Sequence, residues 1–176
     1  MFYKLNVQDH IRVPPDKFSD DLERSILGEV KEAYEGHISK ELGSVIDVID
    51  VKSVGEGSII PGDGAAYYEC TFTLLTFIPE EKEVVYGQVE DIADFGAFLT
   101  MGPTEGMVHI SQTMDDFVSY SKEGVLTGRD SNNTLKVGDE CKARIISVSY
   151  KNTNNPKTGL TMRQDGLGKI RKEEHE

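Results

Sequence analysis

Apolar residues recur along this chain with two different periods. From Met1 to Val13, Phe2, Leu5, Val7, Ile11 and Val13 alternate loosely with polar neighbours, which predicts a strand ended by Pro14-Pro15. Leu22, Ile26, Val30 and Ala33 then return at helical spacing and predict a helix with one apolar face. Ser19 is its expected N-cap, and Asp20, Asp21 and Glu23 fall where they complement the helix dipole. Gly36 or Gly43 ends it. Val45 to Val54 is β-branched enough for a strand, although its acidic residues return every third position rather than every second. Tyr68, Cys70, Phe72 and Leu74 alternate with Glu69, Thr71 and Thr73, the pattern of a half-buried strand. Between these strands, Gly55, Gly57, Pro61, Gly62 and Gly64 crowd residues 55–65, which read as a projecting contact loop or a plain hairpin. Gly62-Asp63-Gly64 lacks the following helix and G-K-[ST] that a phosphate cradle needs.

Pro79-Glu80-Glu81-Lys82-Glu83 is a short charged break, and the expected domains are 1–82 and 83–165, with a charged tail over 166–176. Beyond the break, strands are expected at 86–92, 95–101 and 106–110. Residues 112–134 are polar throughout and read as an insertion. Cys141 to Ser149 alternates strongly, a loop follows at 152–158, and Leu160 to Arg163 supplies a last short strand. Five short strands with an insertion between the third and fourth are the pattern of an OB-fold barrel. The expected architecture is an α+β domain followed by an all-β barrel.

Charge sharpens this division. The whole chain has 176 residues and a formal net charge of -12, which argues against a surface that grips nucleic acid everywhere. Near the end, however, Lys136, Lys142, Arg144, Lys151, Lys157, Arg163, Lys169, Arg171 and Lys172 face only Asp139, Glu140 and Asp165. That stretch is either a solvated basic face or a ligand contact. Cys70 and Cys141 lie far apart in apolar runs and are expected to be buried free thiols. The four histidines form no metal-ligand pair, so neither a metal nor another cofactor is expected. No signal-peptide core or membrane-length apolar run is present, so a cytoplasmic chain without membrane partners is expected. Asp115-Asp116 lies in the polar insertion, where a solvated turn explains it, and no nucleophile stands beside a clear base.

The chemistry concentrates between Tyr86 and Ser111. Phe95 and Phe98 flank Gly96-Ala97, and with His109 they can line one face of the barrel. Aromatic rings on such a face form a stacking platform for single-stranded nucleic acid, although Phe98 can alternatively fill the barrel. The ordered blocks V-Y-G-Q-V, D-F-G-A-F-L, G-M-V-H-I-S-Q, V-G-D-E-C-K-A-R-I-I-S-V and G-L-T-M resemble an S1 RNA-binding domain over about 84–163. The resemblance implies that Phe95, Phe98 and His109 stack on bases while Lys142, Arg144, Lys151 and Lys157 approach phosphates. This chain departs from many such domains by having Ser149 and a longer, lysine-only loop after the fourth strand. Loose rather than sequence-specific binding is therefore expected.

Both halves together resemble the family of the archaeal RNA polymerase E-prime subunit, counterpart of the seventh subunit of eukaryotic RNA polymerase II. The matching residues are I-R-V-P-P (11–15), Y-E-G (34–36), G-D-G (62–64), F-I-P (77–79), H-I-S-Q-T-M-D-D (109–116) and L-T-M-R-Q (160–164). Asp165-Gly166 stand where relatives tend to carry a Pro-aromatic pair. The resemblance implies a non-catalytic polymerase subunit with an RNP-like N-terminal domain. It implies docking on the polymerase core through the loop containing Gly55, Gly57, Pro61, Gly62, Asp63 and Gly64. A heterodimer with the RNA polymerase F subunit, and an S1 barrel that meets the emerging single-stranded transcript, are implied as well. The alternative is a pure assembly module in which RNA binding is incidental, and the acidic N-terminal half favours it.

Overall fold

The computed structural model describes residues 1–151 and 156–170. The centre of the expected loop after the fourth barrel strand (152–155), together with residues 171–176 of the expected tail, Arg171 and Lys172 among them, lies outside the described residues. The chain separates into two compact units, with the division between Ile78 and Pro79.

The first unit is a helix on a four-stranded sheet. Strands β1 (Phe2–Val13), β2 (Ile38–Ser39), β3 (Gly43–Ile59) and β4 (Ala66–Phe77) take the order β1-β4-β3-β2, and α1 (Leu22–Tyr34) packs on one face. Ile26 and Val30 of α1 share one core with Phe72 and Leu74 of β4, all fully buried, and Tyr34 sets its ring edge-on to Phe72 at 5.0 Å. The N-cap is Asp21, whose carboxylate accepts from the Arg24 amide at 3.1 Å, rather than the expected Ser19. Ser19 lies two residues too far out; its hydroxyl donates to the Asp21 carbonyl and meets that of Ser25. Gly36, at φ +77°, follows the helix end and takes the left-handed conformation that stops it.

β3 explains the three-residue period seen in the sequence. Its pairing with β4 slips between Val45 and Asp47, Val48 and Asp50, Val51 and Ser53, and Val54 and Gly57. At each of the first three slips one extra residue (Ile46, Ile49, Lys52) bulges out of the ladder. Val45, Val48, Val51 and Val54 thereby all reach the helix-covered core. The same pairing corrects the extent of the glycine-rich loop. Gly55 and Gly57 belong to β3, so the connection to β4 is a hairpin whose turn occupies only 60–65.

The second unit is a closed five-stranded barrel. β5 (Val84–Ala93), β6 (Gly96–Thr100), β7 (Glu105–His109), β11 (Glu140–Ser149) and β12 (Lys157–Thr161) run β12-β7-β6-β5-β11, and β12 pairs back onto β11 to close the ring. Val85, Val89, Ala97, Leu99, Val108, Cys141, Ala143, Ile145 and Leu160 fill it. Both cysteines are free and buried, and burial pushes the Cys141 thiol up to about 12. The polar insertion has structure of its own: β8 (Val118–Ser121), β9 (Val125–Gly128) and β10 (Thr134–Lys136) form a separate sheet. A two-residue strand, β13 (Gly168–Lys169), adds to the outer side of β11. The last barrel strand begins earlier than its apolar residues suggest, so Lys157 and Thr158 lie in β12 rather than in a loop. Among the described residues no helix is long and apolar enough to cross a membrane.

Phe72 sits where helix and sheet meet and is wholly enclosed. Phe72→Ala is expected to destabilise the N-terminal unit by about 3–5 kcal/mol, read as a lower denaturation midpoint.

Candidate nucleic-acid interface

Alternation along β6 decides which side chains face out. Ala97 and Leu99 are fully buried, so Gly96, Phe98 and Thr100 take the outer surface. In the antiparallel pairing with β7, Phe98 stands opposite Met107 and Gly96 opposite His109. Phe98 therefore lies outside the barrel and does not fill it. Phe95, just before the strand and about half exposed, meets Phe98 edge-on with ring centroids 6.0 Å apart. The glycine at 96 is required by the close approach of the two strands. A Cβ there would collide with the Val108 carbonyl oxygen, a backbone atom that cannot move aside.

His109 is oriented by its own chain. Its Nδ1 accepts from the Ser111 amide at 3.3 Å and lies 2.9 Å from the Ser111 hydroxyl, so the ring is held by its Nδ1 edge. Two rings and an imidazole thus share one outward surface, a geometry suited to stacking on bases. The neighbouring charge is negative: Asp91 stands opposite Phe98, and the Glu90 carboxylate accepts from the Thr100 hydroxyl.

The basic residues are more dispersed. Lys142 and Arg144 point outward from β11, and β5 separates them from the aromatic pair. Lys157 begins β12 opposite Ser149, one residue before the Thr158–Gly106 pair, and so lies at the end of β7 remote from His109. Lys151 is exposed at the edge of the described residues. Sequence reasoning missed Tyr86. It is 67% exposed, stands opposite Lys142, and has the Lys142 ammonium 5.7 Å from its ring centre. The signal was available, since Val85 and Val89 point inward and position 86 must then point out.

At the other end of the chain, the hairpin turn is fastened to β1. Asp63 accepts from Arg12 through both carboxylate oxygens, at 2.6 Å from Nη2 and 3.1 Å from Nε, and from the Tyr67 hydroxyl. Beside this anchored residue, Ile59 and Ile60 are strongly exposed. The hydrogen bond from Arg12, followed by that from Tyr67, holds the Asp63 carboxyl at about 2, below the usual carboxylate range.

The SHS2 domain found in the N terminus of Rpb7p, Rpc25p and MJ0397 matches residues 8–64, and the S1 RNA binding domain matches residues 78–154. Over 172 residues the chain is 38% identical to DNA-directed RNA polymerase subunit Rpo7 of Saccharolobus shibatae, covering 97% of this chain and 96% of that one. It is 25% identical over 179 residues to DNA-directed RNA polymerase V subunit 7 of Arabidopsis thaliana, covering 98% and 100%. It is 33% identical over 89 residues to DNA-directed RNA polymerase III subunit RPC8 of Saccharomyces cerevisiae, covering 51% of this chain and 42% of that one.

A carboxyl with a depressed folded pKa stabilises above its unfolded value near ~3.9 and ceases to do so as pH falls toward its folded value. The Arg12–Asp63 contact is accordingly expected to persist at pH 4 and to open with a midpoint of about 2. The Arg12 Nε–H resonance, followed by NMR through an acid titration, reads this directly; a midpoint near 4 would mean that the contact does not hold the carboxylate.

Proposed function

Because the chain belongs to the Rpo7 family of DNA-directed RNA polymerase subunits, we propose that it works as a stalk subunit that docks on the polymerase and holds the emerging transcript. The single observation that carries this reading is 38% identity sustained across both units, from one end of a polymerase subunit to the other. In this reading the hairpin end docks on the polymerase core. Pro61, Gly62, Asp63 and Gly64 form its turn, Gly55 and Gly57 lie in the strand leading to it, and Ile59 and Ile60 offer apolar contact. The RNA polymerase F subunit pairs with the chain as a heterodimer.

The barrel takes single-stranded RNA on Phe95, Phe98 and His109, and Lys142, Arg144, Lys151 and Lys157 supply positive charge to its backbone. Binding is weak and indifferent to sequence, because stacking accepts any base and the lysines lack a fork that reads base edges. The chain itself performs no bond-making step; it positions RNA and polymerase in the cytoplasm and supports initiation. Acidic Glu90 and Asp91 beside the aromatic surface favour modest affinity, and they are the observation that keeps a pure assembly role in view.

Two variants separate these roles. Phe95→Ala/Phe98→Ala/His109→Ala is expected to lose about tenfold or more in affinity for single-stranded RNA while still co-purifying with the large polymerase subunits. Ile59→Ser/Ile60→Ser is expected to do the reverse. Unchanged RNA affinity and unchanged transcript processivity in the triple variant would leave the chain an assembly module.

A further inference from the structure

The barrel carries a second exposed aromatic, on a different strand from the Phe95–Phe98 pair. Tyr86 of β5 is the most exposed aromatic among the described barrel-strand residues, and Val84 beside it on the same face is also exposed. Lys142 and Arg144 of β11 stand opposite these two residues, Lys142 against Tyr86 and Arg144 against Val84. Among the described residues neither cation forms an ion pair, although other lysines and arginines of the chain, such as Arg163 and Lys169, do. The result is an aromatic ring edged by unneutralised positive charge, with Glu140 as the next outward residue beyond Lys142.

This patch is continuous with the aromatic surface. Gln88 follows Tyr86 on the outer face of β5 and stands opposite Thr100, and Phe98 is the next outward residue on β6. The intervening side chains are neutral and already engaged: Gln88 donates to the Gly138 carbonyl, and the Thr100 hydroxyl donates to Glu90. From strand spacing and rise, Tyr86 and Phe98 lie about 14 Å apart on the one surface. That separation fits within the roughly 4–16 nucleotides that a barrel of this type covers.

We propose that Tyr86 and Lys142 form a second nucleotide subsite, in which a base of single-stranded RNA stacks on the Tyr86 ring and Lys142 turns from that ring to the adjoining phosphate. The proposal rests on the RNA-binding reading above and extends it to a second strand of the barrel. The observations favour RNA over a protein partner because a stacking ring and unpaired cations match a base and its phosphate. The Lys142 ammonium, at 5.7 Å, is near the outer limit of attraction to the ring and is readily drawn away.

The test measures binding of the full chain to labelled oligouridylates of about 12 and about 2 nucleotides by fluorescence anisotropy, the shorter being unable to span both subsites. Tyr86→Ala is expected to weaken binding of the longer strand about fivefold or more and to leave the shorter one unaffected. Tyr86→Phe, which keeps the ring, is expected to match the wild type. Lys142→Gln is expected to reduce the salt dependence of binding to the longer strand by about 0.7 in the log–log slope. If Tyr86→Ala binds the longer strand as well as the wild type while Phe95→Ala/Phe98→Ala does not, the second subsite is overturned and the RNA-binding reading stands. If the wild type binds neither strand, both are overturned.

Discussion

A strand buries one face, and in both units the residues free to act are those left over once the inward set has been filled. In the barrel this constraint is tight, because five strands must close around Ala97, Leu99, Val108, Ala143 and Ile145, all fully buried. Curling β6 that closely onto β7 brings a carbonyl into the place of a side chain at Gly96. With that contact made, Phe98 has no inward option, and His109 is carried to the same outer surface across the ladder. The aromatic surface follows from how the barrel closes. In the first unit the same constraint acts against a helix, and β3 meets it by bulging until every valine of its repeat points inward.

Much of this was legible in the sequence, and the exceptions share a cause. Alternation at Tyr68–Leu74 and Cys141–Ile145 marked strands correctly, because Cys70, Phe72, Leu74, Cys141, Ala143 and Ile145 are its buried members. The RNP-like domain and the S1 barrel were reached through motif resemblance, which carries topology that periodicity does not. The three-residue period of β3 was visible, but its meaning was not, since a bulged ladder can be recognised only against its partner strand. Gly55 and Gly57 suggested a loop, yet pairing with β4 holds them in a strand, a tertiary effect that overrides local preference. The β8–β10 sheet was hidden by its polar composition; it is small, and Leu126 and Leu135 are its apolar anchors in the barrel core. Ser19 and Asp21 are both good caps by type, and only the position of Leu22 as first helical residue decides between them.

Charge arrangement sets the character of any RNA contact. Among the described residues the cations opposite Tyr86 and Val84 form no ion pair, whereas the surface around Phe98 carries Asp91 and Glu90. Under the proposed RNA-binding role, a strand crossing both regions would meet attraction at one end and repulsion at the other, so stacking would have to supply the holding force where charge opposes it. Affinity built this way would be modest and reversible, which suits the proposed role of a surface over which a growing transcript moves.

The bulges of β3 have one more consequence. Seventeen residues of β3 run against twelve of β4, and past Ser44 no described strand pairs with the other edge of β3. An open strand edge ordinarily invites a foreign strand to add on, which is how sheets grow between molecules and aggregate. Here donors and acceptors along that edge are spaced unevenly by an extra residue at each slip, and a regular strand cannot meet more than a few of them in sequence. The irregularity that turns the valines inward therefore also makes this edge of β3 a poor template for another chain.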